Sequence, residues 1–338
     1  MNGFHMPAEW EPQEAIWLSW PHNKLTWPGG MLAEVERSYS EIILALHTNQ
    51  KIKLLVRDAE AEARIRKTLG DAGVQIRQIV FFQIATEDAW IRDYGPTFVV
   101  NRESRQLAMV KWTFNAWGNK YDDLLDDNKI PYDMNRSMGL PMFEPGIVLE
   151  GGSIEVNGAG TVLTTEQCLL NKNRNPHLSR EQIDDYLRNY LGVSRTVWLK
   201  EGIVGDDTDG HIDDIARFVD EQTVVCAVED DPSDENYPLL KENYERLKRE
   251  GFQVVKLPMP GFIGDRHTRL PASYANFYIG NGAVVVPQFG HTNDQRALDI
   301  LQDCFPGRRV AGVHCTTMVH GLGTIHCCSQ QEPAIVYA

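Results

Sequence analysis

Apolar residues along residues 32–48 recur with helical spacing, and a short β-rich run at 51–56 follows at once. The same succession returns four times. Residues 58–69 lead to the run VQIRQIVFFQI. Ser179-x-x-Gln182 reads as a capping box that opens a helix to Leu191, ahead of RTVWL. Residues 233–250 lead to FQVVKL at 252–257. Thr292-x-x-Gln295 reads as a second capping box, whose helix precedes RRVAGVHC.

Between these helix–strand pairs lies a second recurring feature. A polar, chemically capable residue stands at the head of a hairpin-like apolar stretch: Asp93 before GPTFVV, Glu150 before GGSIEV, His211 before IDDIARFV, Asn276 before FYIGNGAVVV, and Cys327 before QQEPAIVYA. These residues are 57, 61, 65 and 51 positions apart, a recurring interval of the kind that repeat architectures show. The pattern predicts an α/β fold of five units, each of two strands, a helix and a strand, closed into a ring over residues 1–338 as one domain. In such a ring the five leading residues point toward a common axis. Residues 119–146, rich in Asp, Asn, Pro and Gly, read as an insertion able to cover a site there.

Composition narrows the function. A hydrophobic content of 42% with 24% charged residues is that of an ordinary globular chain. The net charge of −14 argues against nucleic acid, which needs a basic surface, and mildly favours a cationic small substrate. No apolar run approaches a membrane span, and the first fifteen residues lack the apolar core of a signal peptide. The six cysteines follow no disulfide spacing, so a reducing cytoplasm is the expected location. The C-terminal histidines and cysteines lack the separated pairs of structural zinc sites, and the run Gly205–Asp214 lacks the ligand ladder of a calcium loop. Neither metal nor other cofactor is expected. Self-association into a homo-oligomer is left open.

Four segments carry candidate chemistry. On a strand, His211 and Asp213 would project from one face, placing a proton-transfer group beside a carboxylate. Trp90 and Asp93 set an aromatic wall beside a carboxylate, suited to a ligand cationic at one end and apolar along its stem. Glu150 precedes two glycines, which permit close backbone approach, and could accept a hydrogen bond from His211. Of the adjacent Cys327 and Cys328, alternation on a strand would let one face a pocket while the other packs.

These residues resemble a known family. Trp90-Ile91-Arg92-Asp93-Tyr94-Gly95-Pro96, Glu150-Gly151-Gly152-Ser153, Thr208-Asp209-Gly210-His211-Ile212-Asp213 and Ile325-His326-Cys327 are similar, in order, to motifs of the agmatine deiminases and related bacterial peptidylarginine deiminases. That family lies in the pentein superfamily of α/β-propellers that modify guanidino groups, and the resemblance covers essentially the whole chain. It implies Cys327 as nucleophile, His211 as general acid/base, Asp93 and Asp213 as the carboxylates clasping a guanidinium, and Glu150 beside the histidine. It implies Asn276 as a supporting polar position, and Trp90, the aromatic wall already noted, joins it as an expected substrate contact. The expected reaction converts agmatine to N-carbamoylputrescine and ammonia through a cysteine-bound thiouronium, without metal. The alternatives are another arginine-derivative or peptidylarginine deiminase and, more remotely, a non-catalytic pentein binding protein. Leu322, Thr324, Cys328 and Ser329 depart from the family pattern around the cysteine, which bears on substrate choice rather than on the chemistry.

Overall fold

The computed structural model describes residues 3–335. Sixteen strands, among the described residues, form five small sheets. Strands β1 (Gln13–Ser19), β2 (Lys51–Val56) and β3 (Ile79–Gln83) begin the first sheet. Strands β4 (Thr97–Asn101), β5 (Gln106–Val110) and β6 (Met142–Phe143) form the second. The third is β7 (Glu155–Val156), β8 (Thr161–Thr165) and β9 (Arg195–Leu199). The fourth is β10 (Ala216–Phe218), β11 (Thr223–Val228) and β12 (Gln253–Pro258). The fifth is β13 (Tyr278–Ile279), β14 (Ala283–Gln288) and β15 (Arg309–His314). The last strand, β16 (Ser329–Pro333), pairs with β1 and so joins the two ends of the ring.

One pairing rule repeats in all five sheets. The leading strand is antiparallel to the second, and the second is parallel to the third across a helical crossover. Parallel pairing requires that crossover, because the chain must return to the same end of the sheet. This is the five-bladed arrangement of a pentein α/β-propeller, as expected from the spacing.

The helices divide differently from expectation. Two of the five helix–strand successions, at 32–56 and 59–83, belong to the same sheet, and the second of them adds β3 to its edge. The second sheet takes its crossover from the segment read as a covering loop. That segment contains the helical turns Asp122–Lys129 and the helix Ile130–Met138. Its many Asp and Asn residues hid the helix, because such residues favour caps and turns. Of the two capping boxes, Ser179 accepts from the Gln182 amide and the Gln182 side chain returns the bond. The other is absent. That helix runs Asp294–Cys304, with Asn293 as its N-cap and no capping side chain. Asp294 instead accepts from the amides of Phe289 and Gly290, at 3.1 and 2.9 Å, in the preceding loop.

Buried side chains of the helices hold the loops that feed the ring axis. The helix Arg180–Leu191 buries Ile183, Leu187 and Leu191, four residues apart on one face. The helix Asn236–Arg249 buries Leu240 and Leu247, and with them two asparagines. Asn243 accepts from Lys200 N at 2.8 Å and donates to the Glu201 carbonyl at 2.7 Å, and Asn236 accepts from Val204 N at 2.8 Å. Residues 200–204 are thereby fastened just ahead of the His211 turn. Asn175 does the same for Val148, accepting at 2.9 Å and donating at 2.7 Å, two residues before Glu150.

Replacing Ser179 by Ala should lower unfolding stability by about 1 kcal/mol, whereas Thr292→Ala should leave it within a few tenths. Denaturant titration of the two variants checks this, and equal losses would contradict the capping assignment.

Candidate active site

Each leading residue stands in a tight turn immediately before its strand, rather than on the strand itself. Asp93 lies in the short helical turn Ile91–Tyr94, Glu150 precedes the 3-10 turn Gly151–Ser153, and His211 precedes the turn Ile212–Asp214. His211 and Asp213 therefore meet across a turn, not by strand alternation. Cys327 and Cys328 also sit in a turn before β16, yet their thiols do part. Cys328 Sγ is 3.3 Å from the Ile325 carbonyl, in the core, and burial pushes its thiol up to about 12.

The turns converge. Asp93 Oδ1 accepts from Gly152 N at 2.9 Å, and its Oδ2 accepts from Trp117 Nε1 at 3.0 Å. His211 Nδ1 is 3.7 Å from Asp93 Oδ1, and its Nε2 is 4.0 Å from Glu150 Oε2. Asn276 donates to Cys327 Sγ at 3.1 Å, and its carbonyl oxygen accepts from Thr324 Oγ1, His326 N and Cys327 N at 2.8, 3.0 and 3.3 Å. Cys327 Sγ lies 3.7 Å from Asp213 Oδ2. The structure thus brings together Asp93, Glu150, His211, Asp213, Asn276 and Cys327, all of them buried. Glu150 is nevertheless not the hydrogen-bond partner expected for His211. Its Oε1 is taken by Arg174 Nε at 2.7 Å.

Glycines are required here by close approach. A Cβ on Gly152 would lie 2.5 Å from His211 Nδ1 and 2.8 Å from Asp93 Oδ1, and one on Gly323 would lie 2.8 Å from the Trp90 ring and 3.0 Å from Cys327 Cβ. Leu322, directly before Gly323, takes a left-handed backbone, φ 68°, which is uncommon for a leucine.

The charges are unbalanced. Four of the seven buried polar side-chain atoms without a hydrogen-bond partner among the described residues cluster here: Glu150 Oε2, both His211 nitrogens and Asp213 Oδ1. Burial, then the charges of Asp213 and Glu150, push the Asp93 carboxyl well above the usual range. Burial also raises Asp214, with the charges of Asp213 and Asp206 adding to it. Burial lowers His211 to about 3, so its ring is neutral at physiological pH. Burial and the neighbouring carboxylates raise the Cys327 thiol well above its usual value. Burial therefore favours a thiol at Cys327 and a neutral imidazole at His211 in the resting pocket. A site so short of positive charge, with unpaired acceptors aimed inward, is built for a cation.

A cavity of about 260 Å³ opens from this centre. Cys327 and Asp93 lie at its inner end, Trp90 and Trp117 line it, and Asp88, Asp123 and Asp207 border it as well. The residues at 116–119 reach it through three non-glycine left-handed conformations, at Ala116, Trp117 and Asn119. Tyr121 comes from the segment expected to cover the site and Trp117 stands just before it, and Tyr121 Oη donates to Asp207 Oδ2 at 2.5 Å. The acidic run is otherwise engaged by the protein. Asp206 accepts from Thr208, Gly210 and His211 amides, and Asp209 accepts from Arg174 and Lys120. Sequence reasoning missed Arg174, Trp117, Asp207, Asp214 and Glu9. Only Asp207 and Asp214, adjoining the His211 motif, carried a local signal.

An amidinotransferase of saxitoxin biosynthesis from Microseira wollei superposes over 99% of this chain with a TM-score of 0.54 at 12% identity, a likeness of fold alone. The family is narrower. A family model described as Porphyromonas-type peptidyl-arginine deiminase matches residues 5–333, and the chain belongs to that family. A putative agmatine deiminase of Legionella pneumophila (strain Paris) is 38% identical over 98% of this chain and 96% of its own length. The agmatine deiminase of Medicago truncatula is 39% identical over 99% and 97%. The agmatine deiminase structure from Enterococcus faecalis superposes with a TM-score of 0.89 at 33% identity, covering 99% of this chain and 97% of that one.

Gly152→Ala should reduce kcat/KM by at least about a hundredfold while the protein stays folded, because the new methyl displaces His211 and Asp93 from their working positions. Steady-state kinetics with circular dichroism checks it, and near-normal turnover would contradict the packing described.

Proposed function

We propose that the protein is an agmatine deiminase, a hydrolase of the amidine C–N bond that works through Cys327. The observation that carries this reading is the buried cluster of Asp93, Asp213, Glu150, His211 and Cys327 with its unfilled acceptors. The family and the curated relatives support it.

A guanidinium stays protonated at physiological pH, so only buried negative charge can desolvate and hold it. Asp93 and Asp213 offer oxygens to its planar N–H edges. Its arrival supplies the missing positive charge, which lowers the cost of ionising the Cys327 thiol. The thiol proton passes to His211, whose neutral ring can accept it. The thiolate attacks the guanidinium carbon and gives a tetrahedral adduct. The C–N bond then breaks, and His211 returns the proton to the departing amine, which leaves as ammonia. A covalent S-linked thiouronium remains. Water deprotonated by His211 adds to it, and the thiolate is expelled with N-carbamoylputrescine as product. No step calls for a metal, and none passes through nucleic acid or membrane contacts. No helix among the described residues is long and apolar enough to cross a membrane, and all six cysteines are free, which suits a reducing cytoplasm.

The walls of the cavity favour agmatine over arginine or an arginyl peptide. Asp88, Asp123 and Asp207 would repel the α-carboxylate of free arginine, whereas they suit a second amine. A cavity of about 260 Å³ is also small for a peptide.

A ureido-product assay with agmatine, arginine and an arginyl peptide side by side should give product with agmatine. Turnover of another substrate with none from agmatine would refute the specificity. Cys327→Ser should abolish turnover and keep the fold, and Asp207→Asn should raise KM for agmatine about tenfold or more.

Proton linkage gives a second test. Because the Asp93 carboxyl is raised in the folded protein, its neutral form is the favoured one, and that stabilisation is lost as pH rises through the raised value. The cation requires the ionised form. Agmatine binding to Cys327→Ser should therefore release protons and tighten as pH rises across the neutral range. Calorimetry in two buffers of different ionisation enthalpy checks this, and proton uptake would contradict it.

A further inference from the structure

A second histidine stands at the ring axis, and the reaction as written gives it nothing to do. His326 precedes the nucleophile and is buried. Its Nδ1 is 2.7 Å from Asp213 Oδ2, and its Nε2 is 2.9 Å from Glu9 Oε2. Its backbone is held as firmly, since its N–H donates to Asn276 Oδ1 at 3.0 Å and its carbonyl accepts from Arg92 Nε at 3.3 Å.

A carboxylate oxygen faces each nitrogen of this ring. A neutral imidazole has one donor and one lone pair, so one of the two contacts would set a lone pair against a carboxylate at hydrogen-bond distance. Only the doubly protonated ring satisfies both. The partners are themselves charged. Glu9 is held well below the usual carboxylate range: burial opposes this, but Arg217, His326 and Arg92 outweigh it. Its Oε1 is 2.9 Å from Arg217 Nη2, and its Oε2 is 3.2 Å from Arg92 Nη2. Asp213 is held down as well, by His326 and His211 against the effect of burial. The remaining charged neighbour is Glu155, paired with Arg217 Nε at 2.9 Å.

We propose that His326 is a positioning residue that donates from both ring nitrogens, to Asp213 and to Glu9, and so orients Asp213 with its other oxygen, Oδ1, free for the guanidinium. The inference rests on the deiminase reading. Geometry adds a second effect. The oxygen that His326 occupies is the one 3.7 Å from Cys327 Sγ. His326 and the Cys327 thiol thus share one acceptor, Asp213 Oδ2, so the ring that orients this carboxylate also fixes the oxygen the thiol faces. Glu9, whose carboxylate binds only partners eighty residues or more away, holds the ring from behind.

The test is His326→Gln, which keeps one donor and loses the charge, assayed with whichever guanidino substrate the wild type turns over. A wrong substrate assignment therefore leaves the test intact. KM should rise about tenfold, with a smaller fall in kcat, because a charge-assisted bond orienting a ground-state contact is lost. The acidic limb of kcat/KM should move to higher pH by about one unit, since Asp213 loses its charged donor. An unmoved limb and unchanged KM, with only a lower melting temperature, would overturn the proposal and leave His326 a structural residue. Neutron diffraction from the wild-type protein near pH 8 decides the matter if the variant does not fold. Deuterons on both ring nitrogens support the proposal, and a single deuteron overturns it.

Discussion

Buried negative charge without enough positive charge beside it is the constraint around which this molecule is arranged. Asp93, Glu150, Asp213 and Asp214 lie in one water-poor centre, and like charges so placed cannot all ionise. The protein answers partly with fixed cations. Arg174 takes one oxygen of Glu150, while Arg217, Arg92 and His326 surround Glu9 and through it secure Asp213. What remains uncompensated is carried as raised proton affinity on Asp93, Asp214 and the Cys327 thiol. On the proposed mechanism, that residue of unmet charge is the recognition signal for a guanidinium, and it also makes the Cys327 thiol respond to the substrate.

Holding such a centre requires backbone that does not relax away from it. Each sheet delivers one turn to the axis, and buried amides clamp the loops leading to those turns: Asn175 for Glu150, Asn243 and Asn236 for His211, and Asn276 for the cysteine turn itself. A side-chain amide both donates and accepts, so it can satisfy the backbone of an irregular loop that has no sheet partner.

The repeat was legible in the sequence because period and polarity change together at each unit boundary. Asp93, Glu150, His211, Asn276 and Cys327 do lead the five blades. The geometry of those turns was not legible. His211 and Asp213, like Cys327 and Cys328, were read as strand residues from alternation, although glycines at 151, 152 and 210 and the Asp206 carboxylate bend the backbone into turns first. The second blade was misread because its crossover is acidic and proline-bearing, and its helix is stabilised by packing Ile130 and Met134 rather than by local propensity. Arg174, Trp117 and Glu9 carry no local mark at all. Their importance comes from partners tens to hundreds of residues away.

The pairing of β16 with β1 ties the pocket to closure of the ring. Ala15 lies opposite Glu332 and Leu18 opposite Ser329, contacts that span more than three hundred residues. Such a loop closes only at a large entropic cost and is slow to form. Cys327 stands two residues before the strand that makes the closure, so the placing of the thiol beside the carboxylates depends on that pairing. A partly folded chain would then carry acidic turns and a thiol apart from one another, and no reactive centre would exist until the circle is complete.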